Sequence, residues 1–184
     1  MSDPVYQATA LGSSYAAIDR LPVVVLLDQV RSLYNVGSFF RTCDGVRVTK
    51  LLLGGITAMP PNPQIAKTAL GAEQAVPWEK VGDVGAALDR LRGDGWELAA
   101  IETSLHAVDL FDWQPSFPVC VVFGHEVEGV SPDVLARCDT HVRIPTLGLK
   151  QSLNVATAGG VVLYELLRKY RAIAGTGGRR ALVE

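Results

Sequence analysis

At 184 residues, with 48% apolar and 20% charged side chains, the chain has the size and composition of one folded domain, which excludes a disordered polymer. Its mean hydropathy of +0.22 comes from apolar runs too short to span a bilayer, and Asp3, with no basic stretch ahead of an apolar one, excludes a secretory signal. A net charge of −2 and a pI of about 5.9 exclude nucleic-acid binding by bulk charge alone.

The first 20 residues read as a short extension. Val23–Leu27 is fully apolar, as a central parallel strand requires. Val36–Cys43 has helical spacing and stops at Asp44-Gly45. Val48–Leu53 is a second strand, closed by Gly54-Gly55, and Met59–Pro63 is a rigid proline loop. A short helix follows near Gln64–Leu70, then another over Val84–Leu91, ended by Gly93-Asp-Gly95. Trp96–Ile101 and Val119–Phe123 are strands. Ser131-Pro132-Asp133 starts a helix, with serine at the cap and proline in the first turn. Val142–Ile144 is the last strand, and Ser152–Tyr170 the last helix, with Ser152 as its N-cap. Alternating apolar strands and helices predict an α/β fold on a parallel sheet, spanning residues 21–170. Gly159-Gly160 inside the last helix costs about 1 kcal/mol per glycine against alanine, so a close neighbour is expected there.

Charge is unevenly spread. Residues 150–184 carry six Lys/Arg and two Glu, a net +4, and the other 149 residues carry 11 basic and 17 acidic side chains, a net −6. Arg168, Lys169, Arg171, Arg179 and Arg180 are therefore the candidate phosphate contacts, with 171–184 read as a basic tail. Cys43, Cys120 and Cys138 form no CxxC pair and read as reduced thiols, as in a cytoplasmic protein. No metal site is expected: His125-Glu126 begins like HExxH but Gly129 stands where the second histidine is needed. Neither GxGxxG nor GxSxG is present.

Three segments carry the chemistry. Asn35-Val-Gly-Ser-Phe-Phe-Arg-Thr42 follows the first strand. Val121-Val-Phe-Gly-His-Glu-Val-Glu-Gly-Val130 is a strand entering a glycine-bounded loop. Ile144-Pro-Thr-Leu-Gly-Leu-Lys-Gln-Ser-Leu-Asn154 joins the last strand to the last helix. In this order and spacing they resemble the three motifs of the SpoU (TrmH-type) RNA 2′-O-ribose methyltransferases of the SPOUT superfamily, over residues 21 to 168.

The resemblance implies a SPOUT fold whose C-terminal helix threads a loop to make a deep trefoil knot. It implies S-adenosylmethionine as methyl donor, held by Gly124, Gly129, Ile144, Leu149 and Leu153, with Ile144 and Leu153 walling the adenine. It implies RNA as acceptor, a homodimer, and no metal or membrane. Because few residues precede the first strand, tRNA is favoured over rRNA; an rRNA substrate, or a non-catalytic RNA-binding protein of the same fold, are the alternatives.

Asn35, Arg41, Glu126, Ser152 and Asn154 match the motif positions assigned to catalysis. Deprotonating a guanidinium near pH 7 would cost about 7 kcal/mol or more, so Arg41 is expected to stabilise the ribose alkoxide as a cation rather than act as base. Glu126 is expected to hold Arg41 or Asn35 in place, and Ser152 and Asn154 to orient the ribose or the helix mouth.

Overall fold

The computed structural model describes residues 19–174; the N-terminal extension up to residue 18 and the Arg179-Arg180 end of the basic tail lie outside the described residues. Seven parallel strands form one sheet: β1 (Leu21–Asp28), β2 (Val48–Gly54), β3 (Trp78–Val81), β4 (Glu97–Ile101), β5 (Val108–Asp109), β6 (Val119–Phe123) and β7 (Thr140–Arg143). Their order across the sheet is β3-β2-β1-β6-β4-β7-β5. β1 lies between β2 and β6, with Val25 opposite both Leu51 and Val121. The chain builds outward from β1 to β3, crosses to β4, and later inserts β6 between β1 and β4. Ligands in open parallel sheets collect at such reversals, above the carboxyl ends of the strands.

Side-chain parity sorts β1 between two cores. Val23, Val25 and Leu27 face a larger core with Phe39, Phe40, Leu163 and Leu166. Val24 and Leu26 face a smaller one with Val84, Leu88, Leu91 and Val134. The first core is covered by α1 (Leu33–Val46), α2 (Pro63–Ala69), the one-turn α3 (Ala72–Ala75) and α6 (Val155–Ala174). The second is covered by α4 (Val84–Gly93) and α5 (Pro132–Leu135). Phe39 ties the layers, with its ring 5.0 Å from that of Phe123 on β6. Among the described residues no helix is long and apolar enough to cross a membrane.

Several boundaries differ from the sequence expectation. Helix α1 does not stop at Asp44-Gly45: it runs to Val46, and Arg47 closes it at φ 56, its amide donating to Asp44 and Cys43 carbonyls. Burying Val46 in the core outweighs the glycine cost. β7 begins two residues early, at Thr140, and ends before Ile144. β3 and β5 were not expected; both are short, lie at or near the two edges of the sheet, and carry charged residues such as Glu79, Lys80 and Asp109. Helix α6 starts at Val155, not at Ser152. The glycine pair is half explained: a Cβ on Gly159 would stand 2.3 Å from the Phe39 ring, but one on Gly160 would meet nothing within 4 Å. Cys43 and Cys120 are buried and Cys138 is half-buried, all as free thiols.

Candidate active site

The three sequence segments converge above the carboxyl ends of β1, β6 and β7. Residues 124–130 leave β6 as a tight turn in which His125 and Gly129 exchange two backbone hydrogen bonds of 2.9 Å each. Closure needs both glycines. A Cβ on Gly124 would lie 2.2 Å from the Gly129 carbonyl, and Gly129 has φ +74 and sits against the Glu102 carboxylate.

The turn projects Glu126 at the open N-terminus of α1. Its carboxylate accepts from the amides of Arg31 (3.1 Å) and Ser32 (2.9 Å) and from Asn35 Nδ2 (3.0 Å). Ser32 Oγ caps the helix by accepting from the Asn35 amide at 3.3 Å. Asn35 Oδ1 in turn accepts from Asn154 Nδ2 at 3.2 Å. Asn154 Oδ1 accepts from the amides of Ala156 (3.0 Å) and Thr157 (3.2 Å). One node of three side chains therefore joins the mouths of α1 and α6 to the turn. The cap expected of Ser152 belongs to Asn154; Ser152 precedes the helix and lies on the wall of the adjoining cavity. Partial burial pushes the Glu126 carboxyl upward, but the Ser32 and Arg31 amides and the Asn35 amide group outweigh it and hold the pKa below the ordinary carboxylate value.

Beside the node opens a cavity of about 490 Å³. Gly124, Gly129, Ile144 and Leu153 all line it, as do Glu126, Ser152 and Asn154. Leu149 does not: it is fully exposed, at the outer bend of the 144–154 loop. Arg41 is also outside the cavity. It is exposed on α1, six residues past Asn35, which is about 9 Å along the helix axis and about 120° around it. Glu126 thus holds Asn35 and not Arg41. Among the candidate phosphate contacts, Lys169 is only 5% exposed and its ammonium donates to the Phe111 and Trp113 carbonyls, so it is spent inside the fold. Arg168 is exposed but forked onto Glu165 by two bonds of 2.7 Å. Among the described residues no cluster of three or more His, Cys, Asp or Glu side chains is placed to hold a metal ion.

The sequence profile of the SpoU rRNA methylase family matches residues 22–164, which takes in every element from β1 into α6. The chain belongs to the SpoU rRNA methylase family. A putative TrmH family tRNA/rRNA methyltransferase of Staphylococcus epidermidis is 32% identical over 150 residues, covering 82% of this chain; the chain spans 60% of that relative's length. Three solved structures share the fold. The TrmH/SpoU tRNA modifying enzyme of A. aeolicus is 30% identical at a TM-score of 0.78, over 90% of this chain and 83% of its own. The SpoU methyltransferase AviRb of Streptomyces viridochromogenes, solved in complex with AdoMet, is 25% identical at 0.76, over 87% and 65%. A protein described in relation to 2-OH methylation of C/U34 on tRNA is 25% identical at 0.71, over 83% of this chain and 97% of its own.

Two residues of this SpoU-family site were not picked out from sequence. Glu102, just past β4, accepts from the Val130 amide at 3.0 Å and from the Thr103 amide at 2.8 Å, fastening the turn to the sheet. Its position at the carboxyl end of a central strand was the available signal. His125 was considered only as a metal ligand. Its ring Nδ1 accepts from the amides of Val127 (3.2 Å) and Glu128 (3.1 Å), a role that no spacing rule announces.

Proposed function

We propose that the protein transfers a methyl group from S-adenosylmethionine to a ribose 2′-hydroxyl of RNA, with tRNA favoured over rRNA. The observation that carries this is the Asn35–Glu126–Asn154 node at the lip of the cavity, which puts three neutral or anionic acceptors and amide donors beside a space that suits the donor. The volume falls within the usual range for small-molecule sites. Apolar side chains of Ile101, Phe123, Val142, Ile144 and Leu153 wall it, as an adenine ring requires, and Glu102, Glu126 and Glu128 offer carboxylates to a cationic donor. When bound, S-adenosylmethionine supplies the electrophilic methyl group.

The chain's own residues do the rest. Asn35 and Asn154 fix the ribose by hydrogen bonds at the mouth of the two helices, and Glu126 fixes Asn35. Arg41 stays protonated, pairs with the adjoining phosphate and stabilises charge on the ribose oxygen as its proton leaves to water or phosphate. Because Arg41 lies off its own cavity, the reading is completed by a second copy. The outer face of α6, with Thr157, Gly160, Val161, Tyr164 and Arg168 at helical spacing, continues past Gly45 onto the Arg41 face of α1; a Cβ on Gly45 would sit 3.1 Å from the Tyr164 hydroxyl. A homodimer across this face covers Gly160 and brings Arg41 towards the partner's cavity.

The strand order, with β6 inserted between β1 and β4 and α6 returning onto α1, supports the knotted SPOUT threading. Free thiols and an RNA substrate support a cytoplasmic setting. The reading is tested by incubating the protein with radiolabelled donor and separated tRNA and rRNA from cells lacking it. Label in tRNA supports it; label in rRNA alone moves the substrate, and no label in either refutes the activity. Sedimentation of a fully active monomer would refute the shared site.

A further inference from the structure

We infer that His125 is a positioning residue that keeps the donor-site turn closed only while its imidazole is neutral, so that donor affinity is governed by one proton on that ring. This rests on the reading that the cavity holds S-adenosylmethionine.

Residues 126–128 are exposed and have little packing to hold them. Four sets of polar contacts define the turn instead. The His125–Gly129 backbone pair closes its base. Glu126 ties its tip to α1, and Glu102 ties its exit at Val130. The fourth contact is internal: His125 Nδ1 accepts from the Val127 and Glu128 amides. Backbone amides can only donate. Nδ1 must therefore present its lone pair, and the ring proton sits on Nε2. A second proton would go on Nδ1, the site of that lone pair. Both acceptor contacts would be lost, and an N–H would point at two N–H groups.

The same turn carries Glu126 to the node and lines the cavity with Gly124, Glu128 and Gly129. Opening it would displace the donor wall and the Asn35 anchor together. The sheet is not at stake, because the turn hangs off the end of a buried strand; what opening would cost in stability is the Glu126 cap on α1. The charged groups facing the turn are Glu126 and Glu128 on the turn itself, Glu102 from the end of β4 and Arg143 from the end of β7. Asp28, at the end of β1, accepts from Ser131 just beyond it. All of these are unchanged in the variants below, so their titration cancels in the comparison.

The test is calorimetric binding of S-adenosylmethionine and of S-adenosylhomocysteine at pH 7.5 and 5.5, for wild type, His125→Asn and His125→Ala. Asparagine offers an acceptor oxygen to the same two amides, as in an Asx turn, and does not titrate. Wild type should bind more weakly at pH 5.5 than at pH 7.5, by up to about a hundredfold, the limit for one proton over two pH units. His125→Asn should match wild type at pH 7.5 within about threefold and lack that loss, because its acceptor survives acidification. His125→Ala should bind weakly at both. Nitrogen-15 shifts of the His125 ring at pH 7.5 should show a lone pair on Nδ1. An equal pH dependence in wild type and His125→Asn, or a proton on Nδ1 at pH 7.5, would overturn the inference. Donor binding by none of the three proteins at either pH would overturn the donor-site reading, and this inference with it.

Discussion

Glu126→Ala should both loosen the fold and disconnect the node. The carboxylate accepts from Arg31, Ser32 and Asn35 at 2.9 to 3.1 Å and stands at the positive end of α1. Hydrogen bonds to a buried charge contribute about 1.5–3 kcal/mol each, but Glu126 is exposed and solvent screening removes much of that. A helix cap contributes about 0.5–2 kcal/mol and the dipole about 0.3–1, so a total near 1–2 kcal/mol is expected. For a chain of this size that lowers Tm by about 2 to 8 °C. The pH dependence follows from the sign of the shift. The folded carboxyl titrates below its ordinary value, so its stabilisation is present above the unfolded pKa and disappears as pH falls through the folded one. Calorimetric melts of wild type and Glu126→Ala should differ at pH 7.5 and converge towards pH 3. Methyl transfer by the variant should fall even where it is fully folded, because Asn35 loses its anchor. Equal Tm values at pH 7.5, or a gap that persists unchanged at pH 3, would refute the assignment of the node as an ionic cap.

Arg41→Ala should cut turnover about a hundredfold or more, with donor affinity and Tm nearly unchanged, since Arg41 is off the cavity and removing one charge from a reacting oxygen costs about 3 kcal/mol; single-turnover kinetics beside calorimetric donor binding checks this. Leu153→Asp should lose donor binding first, because it sets a carboxylate on an apolar wall, and calorimetry that finds wild-type affinity would contradict it. Gly159→Val should destabilise by about 1–3 kcal/mol in urea melts, since its Cβ would sit 2.3 Å from the Phe39 ring, whereas Gly160→Ala should be tolerated by the isolated chain.

The central strands were legible because they are buried on both faces: Val23–Leu27 and Val119–Phe123 have no polar residue to misread. The node residues were legible as motif positions, yet their connections were not. Glu126 is expected from sequence to pair with Arg41 or Asn35, and only folding decides that a turn of five residues aims it at the first turn of α1, where Asn35 lies, rather than at the third, where Arg41 lies. The misplaced start of α6 has a local cause. Ser152 and Asn154 are both good caps, and the choice falls to Asn154 because its side-chain nitrogen also donates to Asn35, 119 residues away, while its oxygen caps the helix. Lys169 looked like a phosphate contact because charge in a sequence carries no burial; the Phe111 and Trp113 carbonyls that take up its ammonium come from a loop 56 to 58 residues earlier. The role of His125 is not legible in the sequence because its ring accepts from backbone amides, which every sequence has everywhere.

The measurement that bears most directly on ribose methylation is the position of the transferred methyl group. RNA labelled by the protein with S-adenosylmethionine is hydrolysed in alkali and the products separated by mass. Methylation at the 2′-hydroxyl removes the nucleophile that alkaline cleavage needs, so the label should appear in an alkali-resistant dinucleotide that yields a 2′-O-methyl nucleoside after enzymatic digestion. Label recovered on a base, in a mononucleotide fully released by alkali, would contradict it.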